Sequence, residues 1–140
     1  MSAVGNVIAL CAHGPLAPAM LDAAGMIAGI PEGVQAFPLL EGQDPLDYRS
    51  SIEAFLEEHA DQGCLILVDL FGGTPANMCA SLATRDNVEV ITGVNLAMLI
   101  EVMTRKDQMA LDELRDVACQ AVRSSAVDVK ARFVAKLSSK

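Results

Sequence analysis

Short apolar runs alternate with longer amphipathic segments along the whole chain, and that alternation restricts the fold more than any other feature. Residues 7–12 form a brief apolar run with β-branched Val7 and Ile8, which reads as a first strand. Residues 15–29 then place Leu16, Met20, Ala23, Ala24 and Ile27 at helical spacing. A second strand is expected at 34–40. Asp44 followed by Pro45 is a helix start, an acid cap with proline at the first helical position. That helix runs to about residue 60 with Tyr48, Ile52, Phe55 and Leu56 on one face. Residues 64–70 are the most apolar strand and belong at the sheet centre, covered on both sides. Thr74-Pro75 opens a third helix by the same logic, and 88–92 is a fourth strand. Asn95 caps a helix carrying Leu96, Leu99, Val102 and Met103, and a fifth helix over 111–126 buries Leu111, Leu114 and Ala118.

Four such strand–helix units in series specify an α/β fold: a doubly wound, mostly parallel sheet with right-handed crossovers and helices on both faces. The expected strand order is 2-1-3-4. Residues 127–133 alternate apolar and polar strictly, so 127–134 is expected to be an antiparallel edge strand. A helix leads into that segment with almost no connecting residues, so exchange of the strand between two subunits of a homodimer is the expected arrangement. At 140 residues with no linker or repeat, the whole of 1–140 is expected to be one domain.

Composition narrows the function classes. A net charge of −8 argues against nucleic acid, whose phosphates need clustered Lys and Arg, and against an anionic membrane surface. The first residues lack the basic segment and apolar run of a signal peptide, and no apolar run reaches the ~20 residues of a membrane helix. A cytoplasmic location with reduced thiols is therefore expected. Cys11, Cys64, Cys79 and Cys119 each sit in apolar surroundings without a CxxC pair and read as small buried hydrophobes, not metal ligands.

Doubly wound sheets bind ligands beyond the carboxyl ends of their strands, where the strand order reverses. Here that switch point lies between strands one and three. It brings together His13-Gly14-Pro15 and Asp69-Leu70-Phe71-Gly72-Gly73-Thr74-Pro75. Strands lie ~4.8 Å apart, so Asp69 can reach His13. A carboxylate accepting from Nδ1–H of His13 fixes the tautomer that leaves Nε2 free as a nucleophile. It would also stabilise the cationic ring formed during attack. Helix starts near Pro15 and Pro75 would aim main-chain N–H groups at an anion, and Gly14, Gly72 and Gly73 let the backbone approach closely. His59, near a helix C-terminus, reads as a surface residue.

Other classes fit less well. A receiver-like signalling module would be phosphorylated on Asp69, but it needs an acidic pair after strand one where this chain has Ala12-His13. Nucleotide-binding signatures are absent, with no GxGxxG opening a helix and no GxxxxGK[ST]. A cysteine phosphatase would need Arg six residues after Cys11, where Ala17 stands.

The same residues carry a family resemblance. The segment from Val7 to Gly14 resembles the first strand and phosphorylated histidine of mannose-family enzyme IIA domains of the sugar phosphotransferase system. The stretch from Leu67 to Asn77 is similar to that family's Asp-x-x-Gly-Gly-Ser/Thr-Pro loop, and Val90 to Leu99 to its fourth strand and following helix. The three blocks keep the family's order and cover nearly the whole chain. The resemblance implies a phosphotransferase in which His13 accepts a phosphoryl group from phospho-HPr and donates it to a IIB component. It implies that Asp69 orients the ring and that Thr74 contacts phosphate. No metal or organic cofactor is expected. Pro15 departs from relatives that carry a large aromatic there. With no IIB region in the chain, the IIB component is expected to be a separate polypeptide.

Overall fold

The apolar runs do form strands, and each amphipathic segment returns over the sheet as a helix. The structure is a computed structural model describing residues 5–138. In chain order it contains β1 (Asn6–His13), α1 (Leu16–Ala28), β2 (Val34–Leu39), α2 (Pro45–Glu58), β3 (Gly63–Val68) and α3 (Thr74–Ala80). It continues with β4 (Val88–Thr92), α4 (Leu96–Arg105), α5 (Leu111–Ser125) and α6 (Val129–Ser138). The strands make one parallel sheet in the order β2-β1-β3-β4, as expected. Register sets the site: Cys11 pairs with Val68 on one side of β1, and His13 pairs with Leu39 on the other.

Successive strand residues point to opposite faces, so β1 feeds two cores. Val7, Ala9 and Cys11 pack with Tyr48, Ile52, Phe55 and Leu56 of α2 and Ala76 and Cys79 of α3. Ile8, Leu10 and Ala12 pack with Ala17 and Ala24 of α1, Met98, Leu99 and Val102 of α4, and Leu114 and Ala118 of α5. Each fully buried Leu or Ile contributes about 1.5–3 kcal/mol relative to an exposed one. Buried Cys11, Cys64 and Cys79 fill gaps in the first of these cores as small hydrophobes, while Cys119 is partly exposed.

Caps fix where the helices begin. Asp44 Oδ1 accepts from the Leu46 amide at 2.8 Å, and Asn95 Oδ1 accepts from the Met98 amide at 2.9 Å. The start of α3 differs from expectation. Its cap residue is Gly73, without a side-chain bond, and Thr74 and Pro75 are the first two helical residues. Thr74 is thus freed from capping.

The expected edge strand at 127–134 does not form; among the described residues the sheet has four strands, and 129–138 is helix α6. The reason is local. Asp128 Oδ1 accepts from the Ala131 amide at 2.9 Å and its carbonyl accepts from Arg132 at 3.1 Å, a helix start. Val129, Phe133 and Leu137 recur at intervals of four, so one set of residues satisfies both periods. Lys130, Ala131, Arg132 and Lys136 are good helix formers. All of α6 is exposed. Residues 1–4, on which the reading of the N-terminus rests, lie outside the described residues. Among those described, no helix is long and apolar enough to cross a membrane.

Candidate functional site

His13 is the last residue of β1, and its neighbour across the switch point, Asp69, is the first residue past β3. Asp69 is tied to β1 by its own amide, which donates to the Cys11 carbonyl at 3.2 Å. Its Oδ2 then receives two donors from one residue. The His13 amide lies 3.0 Å away and the ring Nδ1 lies 2.9 Å away. An ionised carboxylate only accepts, so Nδ1 holds the ring proton and Nε2 keeps its lone pair. The imidazole side chain is 46% exposed and the carboxylate 12%, so the pair is a half-buried donor–acceptor with an open outer nitrogen.

The other wall is the β3–α3 loop. Gly72 takes φ of +92°, a conformation side chains resist, and turns the chain back toward β1. Gly73 presses directly on the imidazole: a Cβ there would lie 2.8 Å from His13 Cε1 and 3.0 Å from Nε2. A methyl group at 73 would therefore displace the imidazole from its place. A cavity of about 350 Å³ opens in front of the ring, lined by His13, Gly14, Leu39, Gly42, Pro45 and Thr74 among others. His13, Asp69, Gly14, Gly73 and Thr74 are thus gathered at one place, with Gly72 shaping the loop behind. Gly14 does not offer its amide to the cleft, because that N–H donates to the Leu39 carbonyl at 2.7 Å.

The sequence reading missed one wall. Leu40, Glu41 and Gln43, between β2 and α2, also line the cleft. Gln43 Oε1 accepts from the Leu40 amide at 3.0 Å and holds that loop folded. The available signal was positional, since β2 neighbours β1 and its exit must lie beside His13. His59 ends α2 at the opposite end of the sheet, its ring 4.8 Å from that of Phe55.

Beneath the pair lies a layer of neutral hydrogen-bonding groups. Tyr48 Oη donates to the Phe37 carbonyl at 2.6 Å. Burial drives the Tyr48 hydroxyl and the Cys11 thiol upward, reinforced by their neighbours, so both stay protonated. Asp69 Oδ1 is buried with no protein partner. A carboxylate with one oxygen buried and the other engaged twice does not suit the receiver reading, which needs an open Asp69. What the geometry does offer is a fixed nucleophilic nitrogen, facing an open cleft and backed by a negative charge.

Three comparisons with known proteins bear on this arrangement. The EIIA-man family model, described as the PTS system fructose IIA component, matches residues 7–119. The sorbose-specific EIIA component of Klebsiella pneumoniae is 34% identical over 117 residues, which is 83% of each chain. The fructose-specific EIIA component of Bacillus subtilis is 33% identical over 112 residues, covering 76% of this chain and 75% of that protein. The mannose-specific EIIAB component of Escherichia coli is 33% identical over 132 residues, 92% of this chain but 41% of that longer protein. Among solved structures, the phosphotransferase system component EIIA from Streptococcus agalactiae superposes with a TM-score of 0.83 at 27% identity. That match covers 89% of this chain and 98% of the other. A family match spanning β1 to the middle of α5, with relatives above 30% identity, leads to one conclusion: this chain belongs to the EIIA-man family of phosphotransferase-system IIA components.

Proposed function

We propose that the chain carries a phosphoryl group on Nε2 of His13, taking it from phospho-HPr and passing it to a IIB component in a sugar phosphotransferase system. The single observation that carries this reading is the 2.9 Å contact from Asp69 Oδ2 to His13 Nδ1, which leaves Nε2 as the free nucleophile at the cleft. In the forward step the Nε2 lone pair attacks phosphorus while the donor's nitrogen–phosphorus bond breaks, and the donor histidine keeps that electron pair. The ring proton stays on Nδ1 and the imidazolium charge is balanced by Asp69. Delivery to IIB is the same exchange in reverse, with an acceptor side chain as the nucleophile. No general base is needed, because neutral imidazole already holds its lone pair.

In this reading Gly14, Gly72, Gly73 and Thr74 surround the bound phosphoryl group, with the Thr74 hydroxyl available for a hydrogen bond. Neither metal nor organic cofactor takes part, so transfer should survive excess EDTA. The whole of 1–140 acts as one IIA unit in the cytoplasm. The homodimer remains part of the proposal, but with α6 and its exposed apolar face as the contact in place of an exchanged strand. The test compares two histidines. His13→Ala should abolish phosphorylation by phospho-HPr, and His59→Ala should leave it close to wild type. Loss in the His59 variant alone would overturn the assignment.

A further inference from the structure

Phosphoryl oxygens need hydrogen-bond donors, and part of the cleft in front of His13 has already spent its own. The His13 amide donates to Asp69 Oδ2 at 3.0 Å, and the Gly14 amide donates to the Leu39 carbonyl at 2.7 Å. The residues that line the cleft include no Lys or Arg. Two lining side chains besides the imidazole carry a neutral donor, Thr74 with its hydroxyl and Gln43 with its amide.

Gln43 is fixed from both sides. Its main-chain amide donates to the Leu40 carbonyl at 3.1 Å, closing a four-residue turn in which Gly42 takes φ of +80°. In return its Oε1 accepts from the Leu40 amide at 3.0 Å. The next residue, Asp44, caps α2 through the Leu46 amide. A main-chain N–H can only donate, so the branch of the side chain that meets Leu40 is the carbonyl oxygen. Nε2 and its two hydrogens are left on the other branch, without a protein acceptor among the described residues. The pairing of His13 with Leu39 sets this turn beside the ring. A cleft-lining amide with its oxygen tied and its NH2 unspent is a donor held in place before any phosphate arrives.

We infer that Gln43 Nε2 donates a hydrogen bond to a phosphoryl oxygen carried on His13 and so stabilises the phosphorylated state. On the carrier reading above, this adds a phosphate contact from the β2–α2 loop, opposite the one offered by Thr74. The test forms the phosphorylated protein with phosphoenolpyruvate, enzyme I and HPr, then reads how the phosphoryl group distributes between HPr and this chain at equilibrium. Gln43→Met removes acceptor and donor together. It should shift the equilibrium toward phospho-HPr about tenfold or more, the usual cost of losing a hydrogen bond to a charged group. Gln43→Glu separates the two ends of the side chain. Its carboxylate still accepts from the Leu40 amide and keeps the turn, but it has no hydrogen to offer a phosphate and brings a negative charge. It should shift the equilibrium at least as far as Gln43→Met. In nitrogen-labelled wild type, the Gln43 side-chain NH2 resonances should move downfield when His13 is phosphorylated. A wild-type equilibrium in either variant, or NH2 resonances that do not move, would overturn the inference and leave the carrier reading standing. Failure of the wild-type protein to accept phosphate from phospho-HPr would overturn both.

Discussion

Gly73 and His13 share a space with no room for one more methyl group. A Cβ at 73 would meet Cε1 at 2.8 Å, so the ring would have to shift, and such a shift strains its bond to Asp69. Gly73→Ala should therefore push the imidazole out of line and cut transfer on the order of 100-fold, as small misplacements of reacting groups do. Its circular dichroism should match wild type; normal transfer by a folded variant would contradict the contact. Asp69→Asn tests the second partner. The amide oxygen can still accept from Nδ1, but the countercharge is gone, so transfer should slow by roughly 10–100-fold, the usual cost of losing a group that orients a histidine. Kinetics equal to wild type would show that orientation alone suffices. This pair was legible in the sequence because each residue ends a strand, and strand ends at a switch point are few. Glu41 and Gln43 were not legible, since their residue types say only that the chain turns there. Only the pairing of His13 with Leu39 brings that turn to the cleft.

Elements with one dominant period read correctly and the ambiguous one did not. β1 and β3 are too short and too apolar to be anything but buried strands, and Asp44 and Asn95 announce their helices by chemistry. The segment 127–134 satisfies both a two-residue and a four-residue period, so its strict alternation predicts a strand while the same residues also fit a helix. The Asp128 cap and the helix-forming residues that follow it turned it helical. A ten-residue helix has marginal stability in isolation, so an exposed apolar face on α6 favours a partner. Light scattering should find a dimer of the intact protein at micromolar concentration, and its melting midpoint should rise with concentration. Removal of 129–140 should yield a monomer whose midpoint no longer depends on concentration, since α6 contributes nothing buried to its own subunit. A clean 14.7 kDa monomer of the intact chain would refute pairing through α6.

At the scale of the whole molecule, the core imposes its own pH dependence. Burial pushes the Cys64 thiol from 9.0 to about 12, and it raises Cys11 and Tyr48 as well. These groups stay protonated when folded but ionise once unfolded, so the folded state holds more protons between those values. Stability is therefore intact below pH 9 and falls as pH rises from 9 toward 12. Thermal midpoints measured from pH 8 to 11 should decline progressively above pH 9; a flat profile would mean that the thiols ionise freely in the folded protein. The account as a whole depends on one atom, Nε2 of His13. Incubating the protein with phosphoenolpyruvate, enzyme I and HPr, followed by peptide mass spectrometry at controlled pH, tests it most directly. The expected result is one phosphoryl group, stable in base and labile in acid, on the peptide containing His13. Phosphate on Asp69 or His59 with His13 unmodified would contradict the account.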